Sequence, residues 1–538
     1  MNKLLLKGVA FFICMATMFG IVACSDDDDD DEISVTGVSL SDTEIIIFPG
    51  DTVTVTATVI PSDADDTGVS WESDDEDIAT VDDDGLITAI AEGTTVLTVT
   101  TDDGDYTAEC TVTVTYDLSK NVTLEGDILS DKTLRAMDNN LISGYVYVTD
   151  GATLTIEAGA IVKGEKETQG TLIVMPGGKI VAEGTADEPV VFTSDQDAGS
   201  RAAGDWGGVI ICGFAPTNSP YVESLDGGPI STYGGDDPAD NSGTLSHVRI
   251  EYAGYPLSAT DATAALTLAG VGTETTIEYV QVSYSGGDSF SWLGGTVNAK
   301  NLIAYKGWDD DFDTSLGYIG NLQYLLGIRD PEVADSSDSN GIESDNDANS
   351  SSYTPLTQPV FSNVTLIGPL YGENASKSES SVLYETEDGD NGSEGGSFLA
   401  AVHIRRNSSL NVYNSVFTGW PYGLYLQNAN AGAVVKNVIL AGMWENFMND
   451  DSQSYFEIAD LNNLIYSSTN DIIATDGDYT SVVTGNISGA DFSDSALTDS
   501  FFEAVSYKGA FDGTNDWTDG WADYDPNSQA YEDKYVIR

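Results

Sequence analysis

Carboxylates crowd the middle of this sequence. Asp309, Asp310, Asp311 and Asp313 lie almost side by side, and Glu343, Asp345 and Asp347 follow at alternate positions. At the roughly 4.8 Å between neighbouring strands, two carboxylates repel by about 1 kcal/mol in water and about 3.5 kcal/mol at an effective dielectric near 20. A fold that gathers them must relieve that repulsion by solvent exposure, a bound cation, an Arg or Lys neighbour, or protonation of one partner. With a cation, Asp309, Asp310, Asp311, Asp313, Glu343, Asp345 and Asp347 become a calcium site, because hard oxygen ligands in irregular geometry suit that ion. Their spacing matches no EF-hand. With protonation, a raised-pKa acid stands beside a carboxylate, the pair that retaining glycosidases hold about 5 Å apart. Arg405 or Arg406 would instead serve a lyase, abstracting a proton while calcium neutralises a uronate carboxylate. Full solvation of the face needs no chemistry at all.

Which of these holds depends on what stacks the carboxylates. After Tyr116 the sequence reads as short strands broken by glycine corners, as in Leu154–Val162 and Leu172–Val181. An asparagine recurs at or just before an apolar strand at positions 301, 321, 363, 414, 437, 463 and 486, at intervals of 20, 42, 51, 23, 26 and 23 residues. Those intervals fit one turn, or two turns or a looped turn, of a parallel β-helix, whose corner amides hydrogen-bond from coil to coil. Residues 117–538 are therefore expected to form a right-handed parallel β-helix, and the chain to be all-β. Aligning the corners stacks Phe290, Phe312, Ile342, Val402 or Ile404, and Leu424 inward. The outward row becomes Ser291, Asp313, Glu343, His403 and Tyr425, with Trp292, Asp310 and Asp345 near one edge. Trp292, Asp313, Glu343, His403, Arg405 and Tyr425 are the candidate ligand-binding residues. Asp309, Asp310, Asp311, Asp313 and Asp345 are the metal candidates. Trp308, Tyr305, Tyr318, Trp420 and Tyr422 could add aromatic faces on which sugar rings dock, although at least half of such rings should pack inside. Asp205-Trp206-Gly207-Gly208 reads as a tight structural corner. The tail after Asn486, with Trp517 and Trp521, is expected to cap the coil.

Ahead of the β-helix, residues 35–116 read as an immunoglobulin-like β-sandwich, with Thr52–Val59 alternating strictly so that Val53, Val55, Ala57 and Val59 share one face. VTGVSLS, GDTVTVTATVIPSDA and VSWESDDEDIATVDDDGLITAIAEGTTVLTVT resemble the bacterial Ig-like domain group 2, which implies a spacer or adhesion unit. GATLTIEAGAIVKG, LIVMPGGKIVAEGTADEPVVFTS, GDWGGVIICG, VRIEYAG and GWDDDFDT resemble a group of Bacteroidota surface lipoproteins. That resemblance implies a β-helix at the cell surface and brings no catalytic residues with it.

The N-terminus agrees with such an address. Lys3 and Lys7 precede an apolar stretch too short to span a membrane, which closes on Gly20-Ile21-Val22-Ala23-Cys24. The stretch resembles a bacterial lipobox, implying a signal peptide over residues 1–23 and lipidation at Cys24. The acidic run in the linker 24–34 resembles the export tag of outer-membrane surface lipoproteins. The expected location is the outer membrane, lipid-anchored and exposed at the cell surface.

Composition narrows the rest. Asp and Glu total 88 against 20 Lys and Arg, a formal net charge of -68, so nucleic-acid binding is not expected. With His247 and His403 the only histidines, a multi-histidine zinc site is excluded. Cys110 and Cys212 fall in different domains and should not pair. No Walker loop, GxGxxG, HExxH or GxSxG segment is present. The expectation is a non-catalytic protein that binds an extracellular glycan or attaches to another surface component, with calcium assisting. The alternative is a polysaccharide lyase or glycoside hydrolase.

Overall fold

The computed structural model describes residues 33–115, 120–219, 232–258, 261–370, 396–469 and 487–531. The leader, Cys24, the acidic run and Asn486 lie outside them. Two compact units divide the chain at Asp117 and Leu118.

The first unit is a small β-sandwich. Glu44–Ile47, Thr107–Val114, Gly93–Thr101 and Val69–Ser73 form one sheet, and Thr52–Thr54, Leu86–Ala89 and Ala79–Val81 another. Alternation drives the pairing: Leu97, Val99, Cys110, Val112 and Val114 all point to the buried side. Thr52–Val59 is not the single strand expected. It breaks after Thr54, and Ala57–Ile60 pairs with Gly37–Leu40 instead. The chain crosses between sheets there, with Val55 donating its N–H to Gly85 and Thr56 bonded to Ser41 Oγ. Alternation is continuous through that crossover, so the sequence pattern could not mark it.

The second unit winds a 26-stranded parallel sheet through successive coils. Its hydrophobic core is one column inside the coil, running from Leu124 to Phe456. Phe290, Phe312, Ile342, Val402 and Leu424 stack within it in consecutive strands. The polar corner is a ladder of left-handed residues at stacked positions: His247, Tyr279, Asn301, Tyr324, Asn363, Asn414 and Asn437, followed by Asn462. Asparagine tolerates positive φ and carries its own hydrogen-bonding groups, so Asn437 Nδ2 donates to Asn414 Oδ1 at 2.7 Å and Asn462 Nδ2 to Asn437 Oδ1 at 2.8 Å. Two sequence assignments change here. Asn321 starts a strand three residues before the corner, which Tyr324 occupies, and Asn463 sits one residue past its corner at Asn462. In the early coils aromatic rings replace amides, His247 stacking on Tyr279 with centroids 4.5 Å apart.

Among the described residues the tail does not cap the coil end. Residues 487–531 lie along the outer flank of the β-helix, reaching from the coil of Asn437 to that of Arg201. Phe511 and Trp521 cover Ile303, Leu326, Ile328 and Ile439 there, apolar side chains that point outward from the sheet. Cys110 and Cys212 are both buried thiols, not joined in a disulfide. Among the described residues no helix is long and apolar enough to cross a membrane.

Candidate functional site

Five parallel strands build the site: Phe290–Leu293, Phe312–Ser315, Ile342–Ser344, Ala400–Arg405 and Tyr422–Gln427. Their register places Ser291, Asp313, Glu343, His403 and Tyr425 in one outward row. Strand alternation fixes this row once the Phe and Ile positions are inside. Residues at the strand ends and in the loops before them complete a cavity of about 710 Å³, on whose walls lie Asp288, Asp309, Asp310, Asp313, Asp338, Glu343, Asp345, Arg405 and Arg406. Ligand cavities commonly fall between about 300 and 1,000 Å³.

Two triads of carboxylates converge here. Oxygens of Asp288, Asp309 and Asp310 lie within 4.8 Å of one another, as do oxygens of Asp310, Asp313 and Glu343, so Asp310 belongs to both. Oxygens on one calcium ion are separated by at most two bond lengths, about 5 Å, so either triad is compact enough for that ion. Backbone and hydroxyl donors already orient the group: Asn340 N–H donates to Asp310 Oδ1 at 2.6 Å and Ser291 Oγ to Asp313 Oδ2 at 3.1 Å. Burial, then the neighbouring negative charges, pushes the Asp288, Asp309, Asp310 and Asp313 carboxyls well above the usual range. Asp288, Asp309 and Asp313 keep part of their surface accessible, and all three line the cavity.

Beside the second triad the lining is cationic. Arg405 Nη2 contacts Glu343 Oε1 and lies 3.5 Å from Asp345 Oδ2, while Arg406 Nη1 reaches Asp345 Oδ2 at 3.0 Å. Burial still outweighs the guanidinium and pushes Glu343 up to about 8. Next to it, burial and then Arg405 lower His403 to about 4, so its imidazole is neutral. His403 stacks on Tyr425 at 4.5 Å and shares Nε2 with Gln427 Oε1 at 3.2 Å.

Several expected members are elsewhere, and His403, although in the outward row, is not on the cavity wall. Trp292 is fully buried among Phe290 and Tyr318, because it shares parity with inward-facing Phe290. It offers no docking surface, and Tyr318 and Trp420 are likewise interior. Asp311 turns inward at the corner before its strand and forms a fully buried ion pair with Arg329 at 2.9 Å, away from the cavity. Asp347 closes its own turn, accepting from Asn349 N and Ser351 N, and is not on the cavity wall. Tyr425 backs His403 without lining the cavity. Asp288 and Asp338 complete the wall although neither was among the metal candidates. The Asp288 signal was present: it precedes Phe290 by two residues, as Asp310 precedes stacked Phe312. Asp205 and Trp206 are the structural corner expected, with Trp206 Nε1–H donating to Glu251 O at 2.8 Å and Asp205 paired with Lys166 at 2.6 Å.

Fold and site together define an Ig-like module followed by a parallel β-helix with an acidic, arginine-walled cavity. Residues 126–522 match the pectate-lyase like beta helix domain, and the chain belongs to that family. Residues 34–112 match the bacterial Ig-like domain (group 2). Similar stretches occur in three larger proteins. An alpha-L-arabinofuranosidase of Bifidobacterium longum subsp. longum is 37% identical over 82 residues, 15% of this chain and 8% of that protein. A lacto-N-biosidase of Bifidobacterium bifidum is 40% identical over 85 residues, 16% of this chain and 8% of that protein. An uncharacterized protein of Clostridium acetobutylicum is 41% identical over 81 residues, 15% of this chain and 8% of that protein. The chain thus spans less than a tenth of the length of these relatives.

Proposed function

We propose that the β-helix domain binds an anionic extracellular polysaccharide in this cavity, with calcium held by the carboxylates and the sugar acid met by Arg405 and Arg406. The observation that carries this reading is the shared position of Asp310 in two carboxylate triads, with Arg405 and Arg406 beside them in the lining of one cavity. The polar lining, with Trp292 and Tyr318 removed to the interior, favours charge over aromatic stacking as the means of recognition. Arg406, whose side chain is 40% exposed, is the guanidinium best placed to meet a ligand. Lipidation of Cys24 and export by the following acidic run would place this domain on the outer face of the outer membrane, with the Ig-like module as spacer. Two of the partial relatives carry the names of glycan-cleaving enzymes, which is compatible with life among glycans but reaches only a short stretch of each.

Catalysis is the second reading, and Glu343 is the observation that favours it. A carboxyl pushed up to about 8 beside neutral His403 is protonated at neutral pH and can serve as an acid. One experiment separates the two. Soluble residues 33–538 are incubated with calcium and a panel of neutral and uronate-containing polysaccharides, then assayed for reducing ends, unsaturated products and retention in an affinity gel. Calcium-dependent retention on uronate polymers without products is the expected result. Products would establish an enzyme, with unsaturation marking a lyase. Neither products nor retention would leave an adhesive or structural role.

A further inference from the structure

Residues 487–531 have little regular structure of their own beyond a two-residue ladder, Ile487–Ser488 with Tyr507–Lys508, and short 3-10 turns. Their path is set by the β-helix flank. Three side-chain amides from three coils hold it in the same manner. Gln281 donates from Nε2 to Asp523 O at 2.7 Å and accepts at Oε1 from Asp523 N at 2.8 Å. Gln323 treats Glu503 identically, at 2.9 Å for both bonds. Asn414 donates to Asp491 O at 3.2 Å and accepts from Asp491 N at 2.8 Å. An amide that takes both the N–H and the C=O of one residue reproduces the bond pair of a β-bridge, so it reads extended backbone rather than side-chain identity. Selectivity comes from aromatic contacts beside the clamps: Trp521 stands edge-on to His247 and to Tyr279, each at 6.0 Å.

This is the construction of a peptide complex, backbone bonds for affinity and aromatic pockets for choice, with both partners in one chain. The clamps and the residues they hold are 180 and 242 positions apart for Gln323 and Gln281. None of these contacts requires covalent continuity between the two. We propose that this flank is a peptide-binding groove, occupied in cis by the C-terminal segment, and that it accepts the same segment from a second copy of the chain. The second copy is the partner because its segment is the one sequence whose fit to the groove is displayed. Cis occupancy is favoured by high effective concentration, so exchange should appear where copies are dense.

Two measurements on the full-length protein test this. Hydrogen–deuterium exchange should show Glu503 and Asp523 amides opening well before those of core strand residues such as Leu302, since a detachable segment opens without global unfolding. A labelled synthetic peptide of residues 487–531 is then titrated onto the wild type and onto W517A/W521A, in which the resident segment is weakened and the groove untouched. Binding to the double variant should be at least tenfold tighter than to the wild type and should be lost on adding Q281A/Q323A. Exchange of the segment only together with the core would overturn the proposal even if the variants fail to fold. So would absence of peptide binding to a W517A/W521A protein that keeps its β circular dichroism.

Discussion

His403 Nδ1 lies 3.2 Å from Glu343 Oε2, two residues stacked on adjacent coils. With Nε2–H given to Gln427 Oε1, Nδ1 carries a lone pair, and the contact becomes a hydrogen bond only when Glu343 holds a proton. In that state a neutral imidazole and a protonated carboxyl are bonded, and burial, outweighing the pull of Arg405, is what raises the carboxyl. Glu343 lines the cavity beside Arg405, and His403 lies behind it, off the cavity wall.

Calcium should stabilise the protein through Asp310. At a hundredfold excess over its dissociation constant, a ligand bound only by the folded state adds about 2.7 kcal/mol. Differential scanning fluorimetry of wild type in millimolar calcium should show a clear rise in Tm over a chelated sample. D310N, which weakens both triads, should abolish the rise, while D311N should retain the calcium-dependent increment on a lower baseline. An unchanged wild-type Tm would remove the calcium part of the proposed function.

Asp311 should matter for stability alone. Replacing Asp311 by Ala leaves the Arg329 guanidinium buried without its carboxylate while its bonds to the Asp309 and Trp308 carbonyls remain, and breaking such pairs costs about 3–5 kcal/mol. Urea denaturation should report that loss. Retention on polysaccharide by the folded fraction should be unchanged, because the pair lies off the cavity.

Trp292 should behave as core. Trp292→Ala removes a fully buried ring packed between Phe290 and Tyr318, for a loss of about 3–5 kcal/mol. A variant of near wild-type stability that has lost glycan retention would instead return this ring to the binding surface.

Stability should fall as pH rises through the range set by Glu251. Burial pushes this carboxyl from 4.5 up to about 7, against the pull of Arg249, with Tyr531 donating to it at 2.9 Å and Asp523 nearby. Between those values the folded state holds a proton that the unfolded state has released, so the contribution is complete below about 4.5 and gone above about 7. The difference amounts to about 3 kcal/mol. Glu251→Gln stays neutral and should flatten that part of the pH profile in denaturation midpoints. A profile that is unaltered would mean Glu251 titrates normally.

The asparagine ladder should carry measurable stability of its own. Asn437→Ala removes bonds to Asn414 and to Gly489 O and the one accepted from Asn462, and leaves alanine at φ 60°. A loss of about 2 kcal/mol or more is expected in chemical denaturation, with glycine at the same position less costly in backbone strain.

Much of the site was legible in the sequence because a β-helix turns a one-dimensional repeat into a vertical column. Once Phe290 and Phe312 were aligned, parity fixed Ser291 over Asp313, while Glu343, His403 and Tyr425 joined the row across intervals as long as residues 345–399, where Val402 and Ile404 stood as alternatives that parity does not separate. The same parity places Trp292 inside with Phe290, so its assignment to an edge was an error of reading rather than a missing signal. Asp311 is different: alternation does not govern a corner, and only its distant partner Arg329 draws it inward. The left-handed corners were traceable while asparagine filled them and were lost where His247, Tyr279 and Tyr324 did. Local periodicity thus determined the two β architectures, the stacked column and the acidic character of its face, because each follows from backbone geometry repeated along the chain. Tertiary structure alone decided which carboxylates share the cavity, that arginines stand beside them in its lining, and that the tail lies along the flank. Those depend on contacts between residues tens to hundreds of positions apart, whose energies leave no period in the sequence.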